Sequence, residues 1–188
     1  MPEKDALVAI HGARGPRDVV ITTMCAARDW MTLPQQPLDL VFVPSAMGHA
    51  TSVGLGLALA QPDRRVIVCN GDGSMLMNLG SLVSIAGAGA RNLVVALFDN
   101  GVYEVTGSQP TPAPGCVDFA AIARGAGFES VFEFSHLESW QTNVHRTLTC
   151  PGPTFIWLRV EPAVGVPGPR SPGPAGERAR RFRDALRS

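Results

Sequence analysis

The segment from Val66 to Gly101 limits the possible folds of this chain more than any other. Val66-Ile67-Val68-Cys69-Asn70 is an apolar run that breaks at Gly71-Asp72-Gly73-Ser74, and Asn92-Leu93-Val94-Val95-Ala96-Leu97-Phe98 is a second run that ends in Asp99-Asn100-Gly101. Between them Met75, Leu76, Leu79, Leu82, Val83 and Ala86 recur at three- and four-residue spacing, which predicts a crossover helix with one face on a sheet. Strand, helix and strand in this order form a βαβ unit, and its right-handed crossover places both strand carboxyl ends on the same edge. Asp72 and Asn100 then stand side by side where open α/β sheets bind ligands.

A carboxylate and an amide oxygen are hard ligands of the kind Mg²⁺ takes from a protein when water and phosphates complete its octahedron. Gly71 and Gly73 allow the backbone to approach a phosphate, and the N-terminus of the following helix offers unpaired N–H groups and a favourable dipole. The bracket therefore reads as a diphosphate–metal site. Taken singly, Asp72-Gly73 and Asn100-Gly101 are ordinary turn dipeptides; their placement at two neighbouring strand ends is what points to chemistry.

The rest of the chain is consistent with one α/β domain: a doubly wound, mainly parallel sheet with helices on both faces. A chain of 188 residues buries roughly 70% of its unfolded surface, enough for a core without staples. The four cysteines, Cys25, Cys69, Cys116 and Cys150, are widely spaced with no C-x-x-C pair and no secretory leader before them, which predicts a reducing, cytoplasmic setting rather than a zinc module. Sixteen bases balance sixteen acids, and no apolar run escapes interruption by Gly or Pro over a membrane-spanning length, so neither nucleic acid nor membrane is an expected partner.

Residues 1–160 are expected to form this domain. A helix over Asp5–Ile10, strands at Val19–Thr23 and Leu38–Val43, and a small-residue helix over Met47–Leu59 lead into the central unit. A Gly-, Pro- and Thr-rich loop follows to Cys116. Asp118 is placed to N-cap a helix carrying Phe119, Ile122 and Ala123. Ser135 and Glu138 form a capping-box pattern for a helix through Leu148, and Thr154–Val160 is expected to close the sheet. Residues 161–176, with five prolines and four glycines, read as a linker or extended arm. Residues 177–188 read as a basic helix, with Phe182, Ala185 and Leu186 able to dock and Arg178, Arg180, Arg181, Arg183 and Arg187 forming a solvated face.

Gly71-Asp72-Gly73, followed some two dozen residues later by Asn100, resembles the thiamine diphosphate (ThDP) signature, in which Gly-Asp-Gly precedes a pair of asparagines. The first of that pair is Asp99 in this chain, while the ligand position, Asn100, is kept. Ser45-Ala46-Met47-Gly48-His49-Ala50, Leu55–Ala60, Gly71–Gly80 and Gly107-Ser108-Gln109-Pro110-Thr111 are similar to the diphosphate-binding part of the ThDP-dependent sulfopyruvate and phosphonopyruvate decarboxylases, over roughly residues 17 to 160. The resemblance implies that Asp72, Asn100 and the carbonyl of Val102 hold Mg²⁺, that Gly71, Gly73 and Ser74 meet the diphosphate, and that Ser45, Ala46 and Tyr103 also lie at the cofactor. It implies further that Met47 wedges between the two rings of ThDP and that the Ser45 carbonyl accepts from the 4′-amino group; the alternative for Met47 is core filling. His49, two residues on, is placed to bind the anionic end of a small 2-oxo acid or to move a proton, or else to cap or pack. Tyr103 and Glu104, just after Asn100, sit near the metal by spacing, and Glu104 itself reads as a loop carboxylate and not a catalyst.

By the same resemblance the cofactor is activated by a glutamate of a separate pyrimidine-binding domain, and none of Glu3, Glu104, Glu129, Glu133, Glu138, Glu161 and Glu177 has the expected context. The implied function is a ThDP- and Mg²⁺-binding subunit of a two-component 2-oxo acid decarboxylase that works with a pyrimidine-domain subunit, homo-oligomers being possible for the isolated chain. A phosphonopyruvate decarboxylase-like enzyme, an acetolactate synthase-like carboligase subunit and a non-catalytic ThDP-binding subunit are the alternatives. Arg28, His49 or partner residues are the candidates for answering the charge of the substrate.

Overall fold

A computed structural model of the chain describes residues 1–43, 46–163 and 165–187. In chain order the elements are α1 (Glu3–Ala13), β1 (Val19–Thr23), α2 (Met24–Trp30), β2 (Asp39–Phe42), α3 (Ala50–Ala60), β3 (Val66–Gly71), α4 (Asp72–Leu76), α5 (Gly80–Ala88) and β4 (Leu93–Asp99). They continue with β5 (Val102–Tyr103), a 3₁₀ turn at Glu104–Thr106, β6 (Gln109–Pro110), α6 (Phe119–Ala126), β7 (Ser130–Phe134), α7 (Leu137–Thr149), β8 (Thr154–Arg159) and α8 (Ala175–Arg187). Six strands form one parallel sheet in the order β2-β1-β3-β4-β8-β7. The short pair β5–β6 is antiparallel and separate.

The inner strands are apolar almost without break because both of their faces are covered. Alternate residues divide between two cores. Val66, Val68, Val95, Leu97, Phe155 and Trp157 face a layer built by α3, α5, α6 and Phe182 of α8. Ile67, Cys69, Val94, Ala96, Ile156 and Leu158 face the other, built by α1, α2 and α7. Each fully buried aromatic or large aliphatic side chain contributes roughly 1.5–3 kcal/mol of transfer free energy. Trp140 of α7, fully buried, also donates its indole N–H to the Ala6 carbonyl at 3.0 Å, joining α7 to α1. Small residues bring α3 against the sheet: a Cβ at Gly54 would overlap Val68 Cγ2.

Several local expectations are corrected. The crossover is two helices, since α4 ends at Leu76 and α5 starts at Gly80, and Val83 is exposed rather than on the sheet. Asn78, in the break, donates to the Gly48 carbonyl at 3.2 Å, a tertiary bond that helical periodicity does not register. The helix expected from Met47 begins at Ala50. Ser135 and Glu138 form no capping box: His136 is the N-cap of α7 and its side chain makes no capping bond. α2 and β7 were not expected, and β7, not β8, is the edge strand on its side. β7 hides from a hydrophobicity reading because most of its residues are only partly covered. Asp118 does cap α6, its Oδ1 accepting from Ala121 N–H at 2.8 Å.

At the opposite edge Arg178 of α8 is not on a solvated face. Its guanidinium donates to the carbonyls of Val41 at 2.6 Å and Val43 at 2.9 Å, covering acceptors that an edge strand otherwise leaves unpaired. Phe182 is buried beside it. Among the described residues no helix is long and apolar enough to cross a membrane, and the four cysteines are free.

Candidate functional site

Gly71 at the end of β3 pairs in register with Phe98 of β4, so the chain leaves the sheet at adjacent points toward Asp72 and toward Asn100. Asp72 is only 2% exposed. Its Oδ2 accepts from the Gly101 N–H at 3.1 Å and from the Thr111 hydroxyl at 3.3 Å, which fastens both the turn after β4 and the end of the β5–β6 hairpin onto this carboxylate. The loop expected between Asn100 and Cys116 is thus partly ordered by its bonds to the acid. Asn100 Oδ1 accepts from Val102 N–H at 3.0 Å, and its Nδ2 donates to Glu104 Oε1 at 2.8 Å.

The electrostatics follow from burial and from crowding of acids. Burial, and then the neighbouring charge of Asp99, push the Asp72 carboxyl up to about 6. Asp99 itself accepts from the Trp157 indole N–H at 2.9 Å. Glu3, from the first turn of α1, is driven up to about 8 by burial and then by the charges of Asp29 and Glu104. Burial also pushes Glu104 upward, yet it lies below the ordinary carboxylate value because the Cys25 thiol, the Ala163 N–H and Arg28 donate to it. Arg28 pairs with Asp29 at 2.9 Å and Glu104 at 3.2 Å. Arg28 is thus engaged with two carboxylates and does not stand free in the cleft.

The turn carrying Met47 lies against α4. Gly48 N–H donates to Ser74 Oγ at 3.2 Å, and a Cβ at Gly48 would stand 3.0 Å from both the Ser74 carbonyl and Asn78 Cβ. Met47 has φ +42° and Gly48 φ +84°, so two successive residues adopt the left-handed region that a bulky side chain disfavours. Met47 is 59% exposed, which is not the burial of a core residue. Ala46 is buried, His49 is exposed and caps α3 without a side-chain bond, and Ser45 lies outside the described residues. Gly73 is needed for a reason other than phosphate approach: a Cβ there would overlap the Tyr103 ring, which takes the space. Nothing comes within 4 Å of a Cβ built on Gly71, so that side of the turn is open. Because α4 has five residues, any dipole it offers is that of little more than one turn.

Gly71, Asp72, Gly73, Ser74, Asn100, Val102 and Tyr103 therefore share one cleft at the carboxyl edge of the sheet. A buried carboxylate, an amide oxygen and a nearby main-chain carbonyl form an all-oxygen donor set, which fits Mg²⁺. Together with the open flank of Gly71 and the hydroxyl of Ser74, the residues present fit a diphosphate held through that ion. The same cleft contains Glu3, Cys25 and Glu104, whose ligating atoms lie within 4.8 Å of one another. No motif marked these three, because their positions are far apart in sequence and Glu104 stands in a polar loop. The nearest available signal was the spacing of Glu104 from Asn100.

Comparison with known proteins agrees with this geometry. Residues 18–158 match the family model described as thiamine pyrophosphate enzyme, C-terminal TPP binding domain. The phosphonopyruvate decarboxylase of Streptomyces hygroscopicus is 40% identical over 166 residues, covering 88% of this chain and 41% of that protein. The chain thus spans about two fifths of that relative's length. The sulfopyruvate decarboxylase subunit beta of Methanothermobacter thermautotrophicus is 38% identical over 158 residues, covering 84% of this chain and 81% of the subunit. In fold the chain is similar to the ThDP-dependent 4-hydroxybenzoylformate decarboxylase of Rhodococcus jostii RHA1, with a TM-score of 0.72 at 22% identity over 86% of this chain and 33% of that one. With the family model spanning the sheet from β1 to β8 and the acid–amide bracket at its carboxyl edge, the chain belongs to the thiamine pyrophosphate enzymes, of which it carries the C-terminal TPP-binding domain.

Proposed function

We propose that this chain is the ThDP- and Mg²⁺-binding subunit of a two-component 2-oxo acid decarboxylase of the sulfopyruvate decarboxylase β type. The observation that carries the reading is the bond from Gly101 N–H to Asp72, which ties the Asp-Asn-Gly turn to the Gly-Asp-Gly acid in the cleft that Asp72 and Asn100 both line. The match over most of a subunit of similar extent supports the two-component arrangement. The equally strong match to phosphonopyruvate decarboxylase supports that substrate class as the second reading.

In this reading Asp72, Asn100 and the Val102 carbonyl hold Mg²⁺, and Ser74 with the Gly71–Gly73 turn meets the diphosphate. When bound, ThDP supplies the nucleophile for the substrate carbonyl and the electron sink for the pair left by departing CO₂. The protein's own work is positional. Met47, on a turn bonded to Ser74 and Asn78, fixes the conformation of the cofactor from its exposed position, and His49 faces the substrate's anionic end. A pyrimidine-binding domain would meet this cleft at an interface and supply the glutamate that completes the site. Residues 1–160 act as the binding domain, the segment from 161 up to α8 as an arm, and α8 (Ala175–Arg187) as a docked helix. The setting is cytoplasmic.

The test is turnover of sulfopyruvate and phosphonopyruvate with ThDP and Mg²⁺, by the purified chain alone and after adding a pyrimidine-domain protein. Activity is expected only in the second case; turnover by the chain alone overturns the two-component reading. Within the reconstituted complex, Met47→Ala is expected to leave ThDP affinity within about threefold of wild type, since that affinity resides at the metal, while slowing hydrogen–deuterium exchange at the reactive carbon of the cofactor by about tenfold or more through lost preorganisation. An exchange rate equal to wild type would return Met47 to a structural role.

A further inference from the structure

We propose that Glu104 is a positioning residue that sets which end of the Asn100 amide faces the metal, an inference that rests on the reading of Asp72 and Asn100 as Mg²⁺ ligands. An asparagine can present either oxygen or NH₂ at the same point, and only the oxygen binds a cation. Asn100 is held in one of these orientations from both ends. Its Nδ2 donates to Glu104 Oε1 at 2.8 Å, and its Oδ1 accepts from the Val102 N–H at 3.0 Å. Reversing the amide would set oxygen against carboxylate and NH₂ against N–H, replacing two attractions by two repulsions. In the observed orientation Oδ1 keeps a second lone pair for a cation.

Glu104 is itself held so that it cannot yield. It is 7% exposed. Its Oε1 also accepts from the Ala163 N–H at 2.7 Å, and its Oε2 from Arg28 Nη1 at 3.2 Å. Arg28 is anchored in turn by Asp29 at 2.9 Å. With the Cys25 thiol and Asn100 itself, four donors converge on one carboxylate. Such convergence is more than a solvated loop acid needs, and it gives Asn100 a rigid acceptor. The bond from Ala163 makes the segment after β8 part of the support, so the arm contributes to the site through a main-chain donor and not through a side chain.

The experiment compares Glu104→Gln with Glu104→Met in the full chain. Both remove the same charge and keep a similar shape, but only glutamine retains an oxygen able to accept from Asn100. Binding of ThDP with Mn²⁺ as the probe ion is measured by calorimetry, with bound Mn²⁺ counted by paramagnetic resonance. E104M is expected to bind at least about tenfold more weakly than E104Q. In the N100D background, where the side chain ends in two equivalent oxygens, that difference is expected to shrink below about threefold. Equal binding by E104Q and E104M, or a difference that persists in the N100D background, would overturn the proposal. If E104M does not fold, the side-chain amide of Asn100 in the wild type decides: slow exchange of its NH₂ protons without ligand supports the proposal, and free exchange overturns it. Asp72→Asn is the control for the underlying reading. If it leaves Mn²⁺-dependent binding intact, the metal assignment falls and Glu104 with it; if it abolishes binding while E104Q and E104M behave alike, only the role of Glu104 falls.

Discussion

Replacing Asp72 with alanine is expected to weaken Mg²⁺-dependent ThDP binding by more than about tenfold, or 1.4 kcal/mol, because it removes the charged ligand of the proposed metal site and charge-assisted contacts exceed neutral ones. The same change also deletes the acceptor for Gly101 N–H and Thr111 Oγ, so the turn holding Asn100 loosens as well. Asp72→Asn separates the two effects, since it can keep an acceptor while losing the charge. Stability should move in the opposite direction from affinity. In the protein without metal the carboxyl is pushed up to about 6, first by burial and then by Asp99, so above that pH its ionised form is held at a cost. At pH 7.5 Asp72→Asn is therefore expected to melt at or above the wild-type temperature while binding Mg²⁺–ThDP poorly. Unchanged cofactor affinity in calorimetry with Mg²⁺ would sink the metal assignment, whatever happened to the melting temperature.

Glu3→Gln is expected to stabilise the protein at pH 8 by an amount on the order of a few kcal/mol and to have little effect at pH 4.5. Glu3 loses its proton near 4.5 in the unfolded chain but keeps it to about 8 in the native state, where burial, Asp29 and Glu104 oppose its charge. The native state therefore holds the extra proton across this window. The stability contributed by Glu3 is complete below about 4.5 and declines as pH rises toward 8. One pKa unit corresponds to about 1.4 kcal/mol, which sets the scale of the loss. Glutamine mimics the neutral acid and carries no proton to lose. Urea unfolding at intervals between pH 4.5 and 8 would test the idea: Asp72 gives both proteins a downward slope up to about pH 6, and between pH 6 and 8 wild type is expected to go on falling while E3Q levels off. Parallel curves would mean that Glu3 is ionised in the native protein at no cost.

Both predictions concern carboxylates of the same cleft, yet only one was visible in the sequence. Asp72 stands in a motif whose geometry is local: a strand, a glycine-flanked acid and a return strand determine where it goes, whatever surrounds them. Glu3 lies near the beginning of the chain, on a helix expected only from Asp5, and nothing in its neighbours shows that it will be buried beside Cys25 and Glu104. Arg28 looked like a cation free to meet a substrate because its two carboxylate partners differ in kind. Asp29 is its neighbour in sequence, whereas Glu104 lies 76 residues further along the chain.

What the amino-acid sequence determined by itself is the set of features in which a physical preference acts over a few residues. Continuous apolar runs become buried parallel strands, Asp118 caps a helix, and Gly-Asp-Gly and Asp-Asn-Gly end two adjacent strands, so the doubly wound sheet and the position of Asp72 beside the Asn100 turn could be read directly. What only the tertiary structure decided is the set of features that depend on a partner distant in sequence. The break between α4 and α5 follows Asn78 reaching Gly48; the exposure of Met47 follows the turn bonded to Ser74; Arg178 leaves the solvent for the carbonyls of the β2 edge; and Gly73 is small because Tyr103 occupies its side-chain space. The reason is the same in each case. Backbone and side-chain polar groups must find partners once buried, and which partner arrives is settled by the packing of the sheet and its helices and not by the residues on either side.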